Sequence, residues 1–177
     1  MARLSYPDPG ALPPQTAAAL ATLPVRNVFS MMAHATTLAP PVFEFTNVLF
    51  KGMQLDARLR QVAILRVGYL CESQYEVYHH EKAGRAAGLS AEEMNALKKG
   101  AAQQCLGPKE TGVARFAEEM TLQVKASEQA FAAVRAFLSE REIVELTLVV
   151  GFYNMVARFL ETLEIEIEPR SAKQEVR

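Results

Sequence analysis

DARLRQVAILRVGYLCESQYEVYHHEKAG, residues 56–84, decides the fold class. Its first half places Leu59, Val62, Ala63, Val67 and Leu70 at helical spacing. Asp56 stands immediately ahead of them, and an aspartate there caps a helix by accepting from the first free backbone N–H groups. The second half opens a further helix that runs to about Gly88, so two helices follow each other with almost no linker.

The same signals recur in both directions. Upstream, QTAAALATL is a short helix stopped by Pro24, and RNVFSMMAHATTL is a second that ends before Pro40. Pro40 and Pro41 suit the first turn of a third helix, PPVFEFTNVLFKG, which stops at Gly52. Downstream, Ser90 with Glu93 forms a capping box for AEEMNALKK, closed by Gly100. Pro108 opens PKETGVARFAEEMTLQVKA, and EQAFAAVRAFL follows. A second capping box, Ser139 with Glu142, starts a long final helix that reaches about Leu163. No window sustains period-two alternation and no Asn-Gly or Asp-Gly turn occurs, so the predicted class is all-α. The expected organisation is an extended, proline-punctuated arm over residues 1–14, one helical domain over 15–169, and a frayed tail over 170–177.

Composition bounds the function. The chain has 177 residues, half of them apolar and 22% charged, which suits one globular domain with a real core. Net charge is −1 with the signs interspersed, so no nucleic-acid partner and no anionic membrane is expected. The most apolar window, IVELTLVVGFYNMVARFL, carries Glu145, Asn154 and Arg158 and reads as a buried helix rather than a membrane span. The first fifteen residues hold four prolines and no apolar stretch, unlike a signal peptide. With only Cys71 and Cys105 available, no structural disulfide is expected, and the expected location is the cytoplasm.

The chemistry concentrates between Cys71 and Gly84. Glu76 and His79 have the i, i+3 spacing of di-iron carboxylate bundles. Such sites need a second Glu-x-x-His, and the remaining histidine outside this stretch, His34, has Met31 at that offset, so no metal is expected. A dithiol couple fails too, because Gln74 stands where Cys71 would need its partner; Cys71 reads as a small buried hydrophobe or a lone thiol. Acid–base chemistry remains. Glu76 and His80 lie one turn apart on one face, where a carboxylate can orient an imidazole, although a solvated pair has the same spacing. Arg66 falls on the apolar stripe of the preceding helix and needs a buried anionic partner, either Glu76 or a substrate carboxylate.

Residues 55–97, from LDARLRQ to EEMNAL, resemble the carboxymuconolactone decarboxylase family, which includes the alkylhydroperoxidase D-like proteins. The family pattern is an R-x-x-E-x-x-x-L-x-V helix, then S-x-Y-E-W-x-x-H or C-x-x-C-x-x-x-H, then A-x-x-x-G-L-S. The flanking NVFSMMAH and LVVGFYNMVARFLETLEIEIEP extend the resemblance over about residues 26–169. Ser73 and Glu76 stand where the peroxidase branch has its two cysteines, and His80 matches the motif histidine. Gln61 replaces a glutamate that relays protons in many members, and Val77 replaces the usual tryptophan. The resemblance therefore implies the thiol-free, decarboxylase-like branch.

It also implies a compact helical domain that assembles into dimers, trimers or hexamers, with a pocket between the Arg66 helix and the Glu76–His80 helix. The expected activity is cofactor-free acid–base catalysis on a small organic acid or lactone. His80 is the expected proton donor, Glu76 its orienter and Arg66 the anion anchor. Tyr75, His34 and Tyr153 are further candidate substrate contacts, though His34 and Tyr153 also suit ordinary packing. Two alternatives stay open: a one-cysteine peroxidase using Cys71, and a non-catalytic oligomeric ligand-binding protein.

Overall fold

In a computed structural model of the chain, residues 1–169 are described, and the tail expected to fray lies outside them. Nine α-helices and two short 3-10 turns account for the regular structure among those residues. By packing, the chain divides into two units.

The first unit comprises residues 1–52 and the segment from Leu163 onward. It contains α1 (Pro14–Leu20), α2 (Asn27–Met32) and α3 (Ala39–Lys51). The arm ahead of α1 is extended apart from a turn at Pro9–Ala11, which Asp8 caps through the Gly10 N–H. It runs alongside the segment after Leu163: the Arg3 N–H donates to the Leu163 carbonyl and the Tyr6 hydroxyl to Glu166. Helix α2 is shorter than its apolar pattern suggested, because the chain leaves the helix at Ala33 and crosses to α3 through a series of turns. Pro40 and Pro41 do fall in the first turn of α3, where a missing N–H costs nothing. Phe43 is fully buried and meets Phe29 edge to face.

The second unit, Met53–Thr162, carries α4 (Ala57–Leu70), α5 (Gln74–Ala86), α6 (Ala91–Lys98), α7 (Pro108–Gln123), α8 (Glu128–Arg135) and α9 (Glu140–Leu163). Helix α4 is the central one and packs against α5, α6 and α7. The apolar stripe read from the sequence understates this, since every residue from Gln61 to Gly68 is buried. A helix enclosed on all sides has no solvent face, and its polar members, Gln61 and Arg66, must find partners inside. The capping predicted from sequence is present: Asp56 accepts from the Arg58 and Leu59 N–H groups, and both capping boxes are formed.

Candidate active site

The site begins at the junction of α4 and α5. Helix α4 ends with Glu72 in the left-handed region, φ 53°, and the Ser73 N–H donates back to the Gly68 carbonyl at 3.0 Å. This reversal turns α5 back along α4 after a three-residue link. Gly68 lets the helices approach closely, because a Cβ there would already touch Val77 and the Glu76 Cβ. Glu76 is thereby pressed against α4.

Its environment is unusual for a carboxyl group. Glu76 is 3% exposed, and among the described residues neither of its oxygens has a hydrogen-bond partner. The Ser73 hydroxyl, one turn earlier, is buried and likewise unsatisfied. Burial pushes the Glu76 carboxyl well above the ordinary carboxylate range, and the negative charge of Glu161 on α9 adds to the shift. The shift favours the carboxylic acid, which can donate one hydrogen bond and a proton.

His80 follows one turn later. Its Nδ1 donates to the Gln61 amide oxygen at 3.0 Å, which leaves the titrating lone pair of the neutral ring on Nε2. Its ring stands edge to face against Tyr153 of α9, with centroids 4.8 Å apart. Three helices thus meet at His80. Gln61 was read from sequence only as a departure from the family pattern; its sole local signal was an amide on the inward side of an enclosed helix.

Two expectations are corrected. The partner that orients His80 is Gln61, not Glu76. Arg66 does not pair with Glu76: its Nε and one terminal nitrogen donate to Glu118 on α7 at 3.0 and 2.6 Å, and the other donates to the Leu97 carbonyl at 2.7 Å. Those contacts join α4 to α6 and α7. A buried guanidinium requires such neutralisation, and Glu118 supplies it from 52 residues away.

The remaining candidates are placed as follows. Tyr75 is buried on α5, and its ring packs against His79 with centroids 4.7 Å apart. Tyr153 is buried on α9 against His80. His34 is exposed in the first unit, where its Nε2 donates to the Ser5 carbonyl at 2.8 Å. Cys71, half-buried at the end of α4, directs its thiol toward Asn154 Oδ1 at 3.9 Å. Burial pushes that thiol up, and the positive charge of Arg158 opposes the shift. Among the described residues no three His, Cys, Asp or Glu side chains converge as metal ligands. An open groove of about 640 Å³ runs along α1 and α3 and includes Gln15, Glu44 and Lys51, but none of the candidate residues lines it.

Comparison with known proteins agrees with this architecture. An uncharacterized peroxidase-related protein with an alkylhydroperoxidase AhpD core, from Ralstonia eutropha JMP134, superposes with a TM-score of 0.81 at 17% identity, over 94% of this chain and 92% of that one. A peroxidase-related protein from Silicibacter sp. TM1040 gives 0.79 at 20% identity, over 99% and 95% of the two chains. The debrominase Bmp8, in complex with 2,3,4-tribromopyrrole, gives 0.76 at 12% identity over the whole of both chains. At these identities the likeness is one of fold. Among curated proteins none matches the chain. The carboxymuconolactone decarboxylase family model matches residues 38–119, a segment that includes α4, α5 and the Glu76–His80 turn. That match to the carboxymuconolactone decarboxylase family lies within a fold shared along nearly the whole length of the chain.

Proposed function

We propose that this protein is a cofactor-free acid–base enzyme, decarboxylase-like in reaction type, acting on a small organic acid or lactone through Glu76 and His80. The observation that carries the reading is the sealed, unpartnered carboxyl of Glu76 one turn from an imidazole whose orientation is set by a buried amide. Two titratable groups held in contrasting environments, one apolar and one hydrogen-bonded, are how a fold separates an acid from a base near neutral pH. The roles differ from those expected from sequence. Glu76, kept neutral by burial, is the proton donor, and His80 is the base.

In a decarboxylation the bond from the α-carbon to the carboxylate breaks, CO₂ leaves, and the electron pair stays on carbon as a carbanion or enolate. The Glu76 O–H supplies the proton that this carbon needs, and the resulting carboxylate regains a proton because its apolar surroundings disfavour charge. With Arg66 committed to Glu118, His80 is the basic group on the inward side of α5 that can meet the substrate's own carboxylate. The test is turnover of a panel of lactones and small organic acids by wild type, Glu76→Gln and His80→Asn. General acid–base catalysis is worth roughly 10²–10⁴-fold, so each substitution should remove most of the rate. Undiminished turnover in Glu76→Gln would defeat the assignment, and binding without turnover in wild type favours the non-catalytic alternative.

A second reading rests on one observation: Cys71 lies within electrostatic reach of both Glu76 and Arg158. There Cys71 would act as a thiol nucleophile, as the peroxidase-related and debrominase names of proteins with this fold suggest. The upward shift of the half-buried thiol disfavours it, because the thiolate is the attacking species. Thiol titration after hydroperoxide treatment separates the two readings. Oxidised Cys71 supports the thiol route, and reduced Cys71 supports the acid–base one.

A further inference from the structure

The pattern Ser-x-x-Glu stands at the starts of α5, α6 and α9, and the three pairs do not behave alike. At α6 the Ser90 N–H donates to Glu93 at 2.8 Å, and the Glu93 N–H donates to the Ser90 hydroxyl at 3.1 Å. Ser139 and Glu142 make the same exchange at 2.8 and 3.3 Å. There the Ser139 hydroxyl also donates directly to the Glu142 carboxylate at 2.7 Å. These contacts, the Ser139 backbone first and its hydroxyl second, hold Glu142 below the ordinary carboxylate range. At α5, Ser73 and Glu76 occupy the same two positions and make none of these bonds.

The backbone supplies the reason. The Ser73 N–H is already spent on the Gly68 carbonyl, within the reversal that joins α4 to α5. Half of the box is therefore pre-empted, and Glu76 turns inward against α4 instead. The Ser73 hydroxyl is left fully buried, and among the described residues it has no hydrogen-bond partner. A sealed hydroxyl with nothing to bond lowers stability, and an alanine there would avoid that cost. Serine has a use at this position only if its neighbour changes state.

We propose that Ser73 is a positioning residue for proton transfer at Glu76: once Glu76 has given up its proton, the Ser73 hydroxyl donates to the new carboxylate, as Ser139 donates to Glu142. The inference rests on the reading of Glu76 as a proton donor. In the step, the Glu76 O–H bond breaks, its proton passes to the substrate carbon, and its electron pair stays on the carboxyl oxygen. The Ser73 O–H bond remains intact and only turns toward that oxygen. The motion is small, because the two side chains lie one turn apart and a hydroxyl rotates to suit its acceptor. Such a charge-assisted bond favours the ionised form, against the burial that opposes it. Ser73 thereby limits how far Glu76 is raised, so that the acid can part with its proton. The other titratable groups facing Glu76 are Glu161 on α9, Cys71 just after α4, and His79 and His80 on α5. They are the same in every variant below.

The test follows the Glu76 side-chain carboxyl carbon by NMR through a pH titration of the full chain. Ser73→Ala should raise its midpoint by about 1 to 2 units, the size of one hydrogen bond to a charged group. Ser73→Thr, which keeps a hydroxyl, should stay near wild type. Because Ser73 makes no capping bond, Ser73→Ala should lose no stability at pH values where Glu76 is protonated. A merely structural serine would show the reverse, a stability loss at every pH with the carboxyl unmoved. If Ser73→Ala does not fold, wild type decides by itself. The Ser73 Cβ resonance should then move with the Glu76 midpoint, while that of Ser90 does not. A midpoint unmoved or lowered in Ser73→Ala, a Ser73 resonance indifferent to Glu76, or a Glu76 that never titrates in the folded protein would overturn the proposal. These readouts need no substrate, so they separate the two ideas. An unmoved midpoint removes Ser73 and leaves the acid–base reading standing, whereas full turnover in Glu76→Gln removes that reading even where the midpoint has moved.

Discussion

Replacing Glu76 with glutamine tests the central electrostatic feature without reference to any substrate. In the unfolded chain the Glu76 carboxyl ionises near its ordinary value of 4.5, whereas in the folded protein burial holds it protonated to much higher pH. The native state therefore binds this proton more tightly than the unfolded state. Stability from this group is fully present below about pH 4.5 and declines as pH rises from there through the folded value. Between those limits the two states differ by one proton, so the slope is about −1.4 kcal/mol per pH unit. Above the folded value the loss is complete and the curve is flat again. Glutamine cannot ionise, so Glu76→Gln lacks this slope altogether, whatever constant offset the buried amide introduces. The other titratable groups near Glu76, Glu161 on α9, Cys71 just after α4 and the histidines of α5, are common to both proteins and largely cancel in the difference. The assay is urea unfolding of both proteins at intervals from about pH 4 to pH 9, plotted as their difference in unfolding free energy. Wild type should lose ground to the variant as pH rises, and the upper break reports the native carboxyl's own titration. A difference independent of pH, or one in which wild type gains with rising pH, would show a solvated or ion-paired carboxylate and refute the reasoning.

Three further outcomes follow from the geometry. Glu118→Ala leaves the Arg66 guanidinium buried with only the Leu97 carbonyl. Because the Glu118 side chain is itself 39% exposed, the expected loss lies between the surface and fully buried cases, about 2 kcal/mol by chemical denaturation, and an unchanged midpoint would contradict the pairing. Gln61→Glu places a carboxylate against His80 Nδ1 and should move the imidazolium titration upward by about 1 unit or more, followed by NMR; an unmoved titration means the two side chains do not meet. A disulfide reagent should modify exposed Cys105 at least about tenfold faster than half-buried Cys71, so faster modification of Cys71 would reinstate it as a reactive thiol.

The helix boundaries were legible because they are local. Asp56, the Ser90–Glu93 and Ser139–Glu142 boxes, and Pro40 with Pro41 act on backbone groups within four residues, and each appears in the structure where the pattern placed it. Where local pattern misled, the cause was also local: nothing between Met32 and Leu38 breaks a helix outright, yet the chain turns there. The side-chain partners were not legible. His80 could have taken Glu76 one turn away on its own helix, but it takes Gln61 from 19 residues earlier. Arg66 had the same nearby candidate and takes Glu118 instead.

Spacing and capping alone thus determined that the chain is all-helical and that Glu76 and His80 share a face of one helix. Only the packing of α4 at the centre of its unit decided what those residues are. Enclosure on every side diverts Arg66 to α7, gives His80 an amide to lean on, and leaves Glu76 buried without a partner, which favours its protonated form. Burial depends on which distant segments arrive, and no periodicity within a single helix records that.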